Sequence, residues 1–61
     1  MPDDAQRIAQ AVRDACLAAA QSAYEDAGMS GLCAAGRWEC AFQAIKQLDL
    51  DAIVRQVCGR P

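Results

Sequence analysis

Gly28-Met29-Ser30-Gly31-Leu32-Cys33-Ala34-Ala35-Gly36-Arg37-Trp38-Glu39-Cys40 breaks an alanine-rich chain with three of its four glycines and then restarts it as a second apolar run. Upstream, Ala5 to Ala27 contain neither Gly nor Pro, so nothing interrupts a helix before Asp26-Ala27-Gly28. Gly28 is the expected residue just past that helix, because it takes a positive φ without steric cost, and Ser30 is the expected N-cap of the next one. Two helices joined by so short a turn predict an antiparallel helical hairpin.

Outward from the turn, the first helix is opened by Pro2-Asp3-Asp4, with Asp3 or Asp4 placed to cap its free amides and to favour the positive end of its dipole. On a 100° wheel Ile8, Val12, Cys16, Ala19, Ala23 and Ala27 share one face, a thin stripe of small residues that lets another helix approach closely. Leu17 and Tyr24 form a second, narrower apolar strip beside Gln6 and Arg13. The second helix carries Cys33, Ala34, Trp38, Cys40, Ala41, Phe42, Ala44, Ile45 and Leu48 over more than half of its circumference, wider than one partner covers. Part of the missing cover is expected from a short third helix capped by Asp49 or Asp51, whose Ile53, Val54, Val57 and Cys58 make an i, i+3, i+4 patch. The chain therefore reads as one all-α domain, 1–61, an antiparallel helical hairpin plus a short third helix, with helices over about 4–27, 31–48 and 51–58.

Composition sets the limits on function. A chain of 61 residues hides only about 60% of the surface its unfolded form exposes. It is 54% hydrophobic, yet much of that is alanine, and cores this small are usually completed by a disulfide, a metal or a second copy of the chain. The oligomer is the favoured completion. A net charge of −2, with Arg and Lys dispersed among acids, supplies no basic stripe for nucleic acid or an anionic membrane surface. Without a histidine there is no imidazole base and no Cys/His zinc site. No run of about 18 apolar residues marks a membrane span, and the acidic start Met1-Pro2-Asp3-Asp4 is unlike a secretory leader, so a cytoplasmic location is expected.

Cys16, Cys33, Cys40 and Cys58 contain no Cys-x-x-Cys pair. With the hairpin folded at Gly28 and the third helix folded back near Leu48 to Asp51, Cys16, Cys40 and Cys58 fall in one layer. Three readings stay open: small hydrophobes in an alanine-rich core, a Cys16–Cys40 or Cys16–Cys58 disulfide, and a three-thiolate site for zinc or cuprous copper. Cys33 and Cys40 are separated by about 10.5 Å of helical rise, too far for a disulfide.

Tryptophan and arginine are the residue types most enriched at binding hot spots. Trp38 is either the plug of a small core, a subunit contact or a site for another protein, and Arg37, inside the apolar arc, is expected to pair with a carboxylate or stack on an aromatic ring. An anion site formed by the amides after Ser30 with Arg37 is a weaker alternative. The partner-binding candidates are Tyr24, Arg37, Trp38 and Phe42.

Gly31-Leu32-Cys33-Ala34-Ala35-Gly36-Arg37-Trp38-Glu39, followed by Ala41, Ala44, Ile45 and Leu48-Asp49-Leu50, resembles a group of short bacterial proteins of about this length, some of which carry an acetyltransferase label. The common acetyltransferase fold needs a mixed sheet and a pyrophosphate loop, and this chain has neither a strand run nor a suitable glycine loop. The resemblance implies no residue roles. The expectation is thus a non-enzymatic helical interaction or regulatory protein, acting as a homo-oligomer or with a protein partner, without catalytic residues, cofactor, nucleic acid or membrane. The alternative is a thiol or metal-binding protein using Cys16, Cys40 and Cys58.

Overall fold

A computed structural model of the chain describes residues 4–59. Within them the protein is all-helical: α1 spans Asp4–Met29, α2 Ala34–Lys46 and α3 Leu50–Cys58. The helix ends differ from the expected ones for local reasons. Gly28 does not end α1; a glycine inside a helix costs about 1 kcal/mol relative to alanine but does not break it. The chain reverses one turn later at Gly31, with φ of 87°. Leu32 N–H donates to the Ala27 carbonyl and Gly31 N–H to the Gly28 carbonyl, each at 3.0 Å, the two bonds of a Schellman motif. Ser30 accordingly belongs to the end of α1, its N–H bonded to the Asp26 carbonyl at 3.0 Å, and Cys33 takes the N-cap position of α2. At the far end, Gln47 N–H donates to the Gln43 carbonyl at 3.0 Å and closes α2 at Lys46, short of Leu48. Of the two acids expected to cap α3, Asp49 does so, accepting from Ala52 N–H at 3.0 Å, while Asp51 sits in the first turn. Asp4 lies in the first turn of α1, and Asp3 lies outside the described residues.

Both later helices pack on α1, and α2 and α3 do not pack on one another. The expected cover of α2 by the tail is therefore corrected: Ile53 and Val57 are half-buried on a helix that lies against α1. The docking is fixed at its end by Arg7, whose guanidinium donates to the Val57 carbonyl at 3.3 Å and pairs with Asp4 at 3.2 Å. That carbonyl belongs to the last turn of α3, where backbone acceptors lack intrahelical partners and a cation is favoured. Trp38 lies against Tyr24, and the Val57 carbonyl against Arg7.

The seam is built from small residues. Ala27 and Ala41 are buried, and no large side chain among the described residues is fully buried. Small side chains permit close helix approach but remove little apolar area from water. The shape reflects this: extents are 44 × 22 × 15 Å and the radius of gyration is 14.1 Å. A compact chain of this length has a radius of about 10–11 Å. The protein is a slab whose α2 arc stays open. Among the described residues no helix is long and apolar enough to cross a membrane.

Candidate interaction surface

Arg37 is anchored where α2 begins. Its Nε donates to the Tyr24 carbonyl at 3.1 Å and its Cζ lies 4.1 Å from the Tyr24 ring centroid. Of the two expected partners for this guanidinium, the aromatic ring is the one found. Planarity lets one group serve as hydrogen-bond donor and as cation on a π face together. Gly28 makes the room: a Cβ there would stand 2.6 Å from Arg37 Cζ and Nη2. The glycine that looked like a helix terminator is thus a place of close approach, a role only the fold reveals.

Tyr24 in turn meets Trp38 edge to face, with ring centroids 5.1 Å apart and planes at 62°. Trp38 stacks on Phe42 at 5.8 Å and 27°. Such offset and edge arrangements suit the aromatic quadrupole and add about 0.5–1.5 kcal/mol per pair beyond area burial. The four partner-binding candidates are therefore brought into one continuous ladder, Arg37 on Tyr24, Tyr24 on Trp38, Trp38 on Phe42. It is not a core. Trp38 is 53% exposed and Phe42 52%, so Trp38 does not plug the interior. Exposed Leu17 lies seven residues before Tyr24 on α1, and exposed Ile45 seven residues after Trp38 on α2.

The cysteines do not form the expected layer. Cys40 lines one shallow hollow with Ala23 and Ala27, which places it about seven residues, or ~10 Å, from the level of Cys16 on α1. Cys58 follows Val57, held at the level of Arg7, which is about nine residues, or ~13 Å, from Cys16 in the other direction. The physical reason is register: α1 runs to Met29 and α2 starts at Ala34, so everything on α2 sits lower than a fold at Gly28 predicts. All four thiols are free, and no three His, Cys, Asp or Glu side chains among the described residues are grouped to hold a metal ion. The Cys16, Cys40, Cys58 site and both disulfide pairings are set aside on that geometry.

Cys33 is distinct. No side-chain hydrogen bond caps α2. Yet the free amides of Gly36, and then of Ala35, face the exposed sulfur and hold the thiol below its ordinary range. The anion site expected nearby is not assembled: Ser30 lies in the turn that ends α1 and Arg37 is committed to Tyr24. A separate open groove on α1 carries Arg7, Gln10, Arg13 and Asp14. Arg13 donates to Gln10 at 3.0 Å and Gln10 to Asp14 at 3.4 Å along the helix, while Arg7 reaches across to the Val57 carbonyl at 3.3 Å.

Arg7 was not singled out by sequence reasoning, and Gly28 was read only as the end of α1; the contacts they make, with the Val57 carbonyl and with Arg37, carry no local signal. Comparison with protein-family models, curated proteins and solved structures finds no match for this chain.

Proposed function

We propose that the chain is a non-enzymatic helical interaction or regulatory protein, built as an antiparallel hairpin of α1 and α2 with α3 as a short third helix. It acts as an oligomer or as an accessory subunit through Tyr24, Arg37, Trp38 and Phe42. The observation that carries the reading is an inversion of burial: among the described residues the buried ones are Ala27 and Ala41, while large apolar side chains, Leu17, Trp38, Phe42 and Ile45 among them, stand exposed. A fully buried large side chain contributes about 1.5–3 kcal/mol, so four that are roughly half exposed leave about 4 kcal/mol to be gained by covering them. Apolar patches of this kind on small proteins are associated with binding surfaces. The ladder is also pre-ordered, since Arg37 and Gly28 fix the Tyr24 ring before any partner arrives, and pre-ordering lowers the entropic cost of association. The absence of histidine and the dispersal of carboxylates along exposed helix faces support a binding role over chemistry.

Trp38 is the only tryptophan, so its emission reads the surface directly. In protein isolated without denaturant, together with whatever remains bound to it, emission is expected at the wavelength of a shielded indole. Phe42→Glu is expected to shift it to that of an indole in water with helix content retained. A native protein whose Trp38 emits as a water-exposed indole under every such condition rules the reading out.

A further inference from the structure

We propose that the occupant of this face is a second copy of the same chain, docked α2 against α2 in antiparallel fashion about a two-fold axis beside Phe42, with Glu39 of each copy against Lys46 of the partner subunit. The proposal rests on the interaction reading above and names its partner.

Three observations converge on it. The first is spacing. Along α2, Ala35, Trp38, Phe42 and Ile45 are all exposed and follow one another at intervals of three, four and three residues, the pattern of a seam between two helices. Ala41, on the adjoining strip, is buried, so this seam runs beside the contact with α1 and is left open by it.

The second is charge. Glu39 directly follows Trp38 and Lys46 directly follows Ile45, so the two occupy equivalent positions on one edge of the seam, seven residues apart. Both are exposed, and the ion pair found among the described residues is that of Arg7 with Asp4, which involves neither. When two identical helices dock antiparallel, equivalent edges face each other. The midpoint between positions 39 and 46 falls beside Phe42, so a two-fold axis there sets each Glu39 opposite the partner's Lys46, twice by symmetry, with Phe42 and Ile45 at the centre of the contact and Trp38, stacked on Phe42, at its rim. Parallel docking instead turns that edge toward the opposite edge of the second helix, where Ala34 and Ala41 stand and no charge answers. A face whose own two charges complement each other under a two-fold rotation fits a copy of itself.

The third is area. The chain exposes 4595 Å². A compact monomer of its mass exposes about 3,800 Å². The excess of about 800 Å² equals what one partner gives to a standard protein interface. Leu17 and Tyr24, flanking the seam on α1, supply part of it.

The test is sedimentation equilibrium in low salt on the wild-type chain, Glu39→Lys, Lys46→Glu, the double reversal Glu39→Lys/Lys46→Glu, and an equal mixture of the two single variants, with helix content checked by circular dichroism. The wild type is expected to be a dimer. Each single reversal places like charges face to face at both symmetric positions and is expected to raise the dissociation constant roughly tenfold. The double reversal restores it to within about twofold, and the mixed single variants form a heterodimer tighter than either homodimer. A dimer indifferent to all four changes overturns the antiparallel pairing while leaving the interaction reading in place. A wild-type chain that stays monomeric with Trp38 shielded by a different protein overturns the self-partner alone. A monomer with Trp38 open to water in every native preparation overturns both.

Discussion

Gly28 and Arg37 show how one residue's identity answers to another far from it in sequence. Glycine in the last turns of α1 forgoes about 1 kcal/mol of helix propensity relative to alanine. In return the Arg37 guanidinium lies 2.6 Å from where a Cβ would stand and 4.1 Å from the Tyr24 ring centroid. The two effects separate in a double-mutant cycle. Gly28→Ala in an Arg37→Ala background is expected to stabilise the protein by about 1 kcal/mol, because only the propensity term remains. In the native background the same change displaces the guanidinium, and the gain is expected to vanish or reverse. Equal gains in both backgrounds, read from urea midpoints, would mean that the contact carries no weight. Cys33 offers a second residue-scale prediction. Its thiol is lowered by the amides of Gly36 and Ala35, so the folded state favours the thiolate relative to the unfolded chain. A depressed folded pKa adds stability that is fully present above the unfolded thiol value and is lost as pH falls through the folded one. The stability difference between wild type and Cys33→Ala is thus expected to shift in favour of wild type as the pH is raised through the thiol range. Iodoacetamide is expected to label Cys33 faster in the folded protein than in urea at neutral pH; labelling no faster when folded would contradict the assignment.

Secondary elements divide into those set by neighbouring residues and those set by distant ones. The uninterrupted first helix and an acid cap for α3, left open between Asp49 and Asp51, were legible because the signals are local: no Gly or Pro from Ala5 to Ala27, and an acid three residues before Ala52. The end of α1 was not, since Gly28 and Gly31 are both adequate terminators and nothing local to either chooses between them; the positive φ is at Gly31. One turn of error there moved the register of α2 and dissolved the cysteine layer. Tyr24, Arg37, Trp38 and Phe42 were singled out by residue type alone, and their assembly into one ladder was not legible, because it depends on the register of α2 on α1. The docking of α3 on α1 was illegible, for its Ile53 and Val57 face suits either neighbour and the deciding contact is Arg7 to a backbone carbonyl. A nine-residue helix is too short to persist unsupported in water. Arg7→Ala is therefore expected to lower the protection of α3 amides in hydrogen exchange by roughly tenfold or less, about 1 kcal/mol for an exposed hydrogen bond, while α2 amides stay unchanged. Equal loss in both helices would show that α3 folds with the whole and not through this clamp.

For the molecule as a whole, the proposed assembly makes a prediction about how stability depends on concentration. Ordering each residue costs about 1–2 kcal/mol, and a seam of alanines recovers little of it. The elongated slab, with a radius of gyration of 14.1 Å, leaves its largest side chains to be covered from outside. If covering them contributes to folding, association and folding are linked, and the thermal midpoint rises with protein concentration by mass action. A midpoint several degrees higher at about 500 µM than at about 5 µM is expected, since a hundredfold change in free partner corresponds to about 2.7 kcal/mol shared over two chains, and about 1 kcal/mol moves the midpoint of a small domain by roughly 4–8 °C. Phe42→Glu is expected to abolish that dependence. The variant tests the link cleanly, because Phe42 is 52% exposed and its ring stacks on Trp38 at the surface, so a carboxylate there stays hydrated in the isolated chain but is buried in an assembly. A midpoint independent of concentration in the wild type, with full helix content at both extremes, would show that the alanine seam and the aromatic ladder suffice to fold the chain alone.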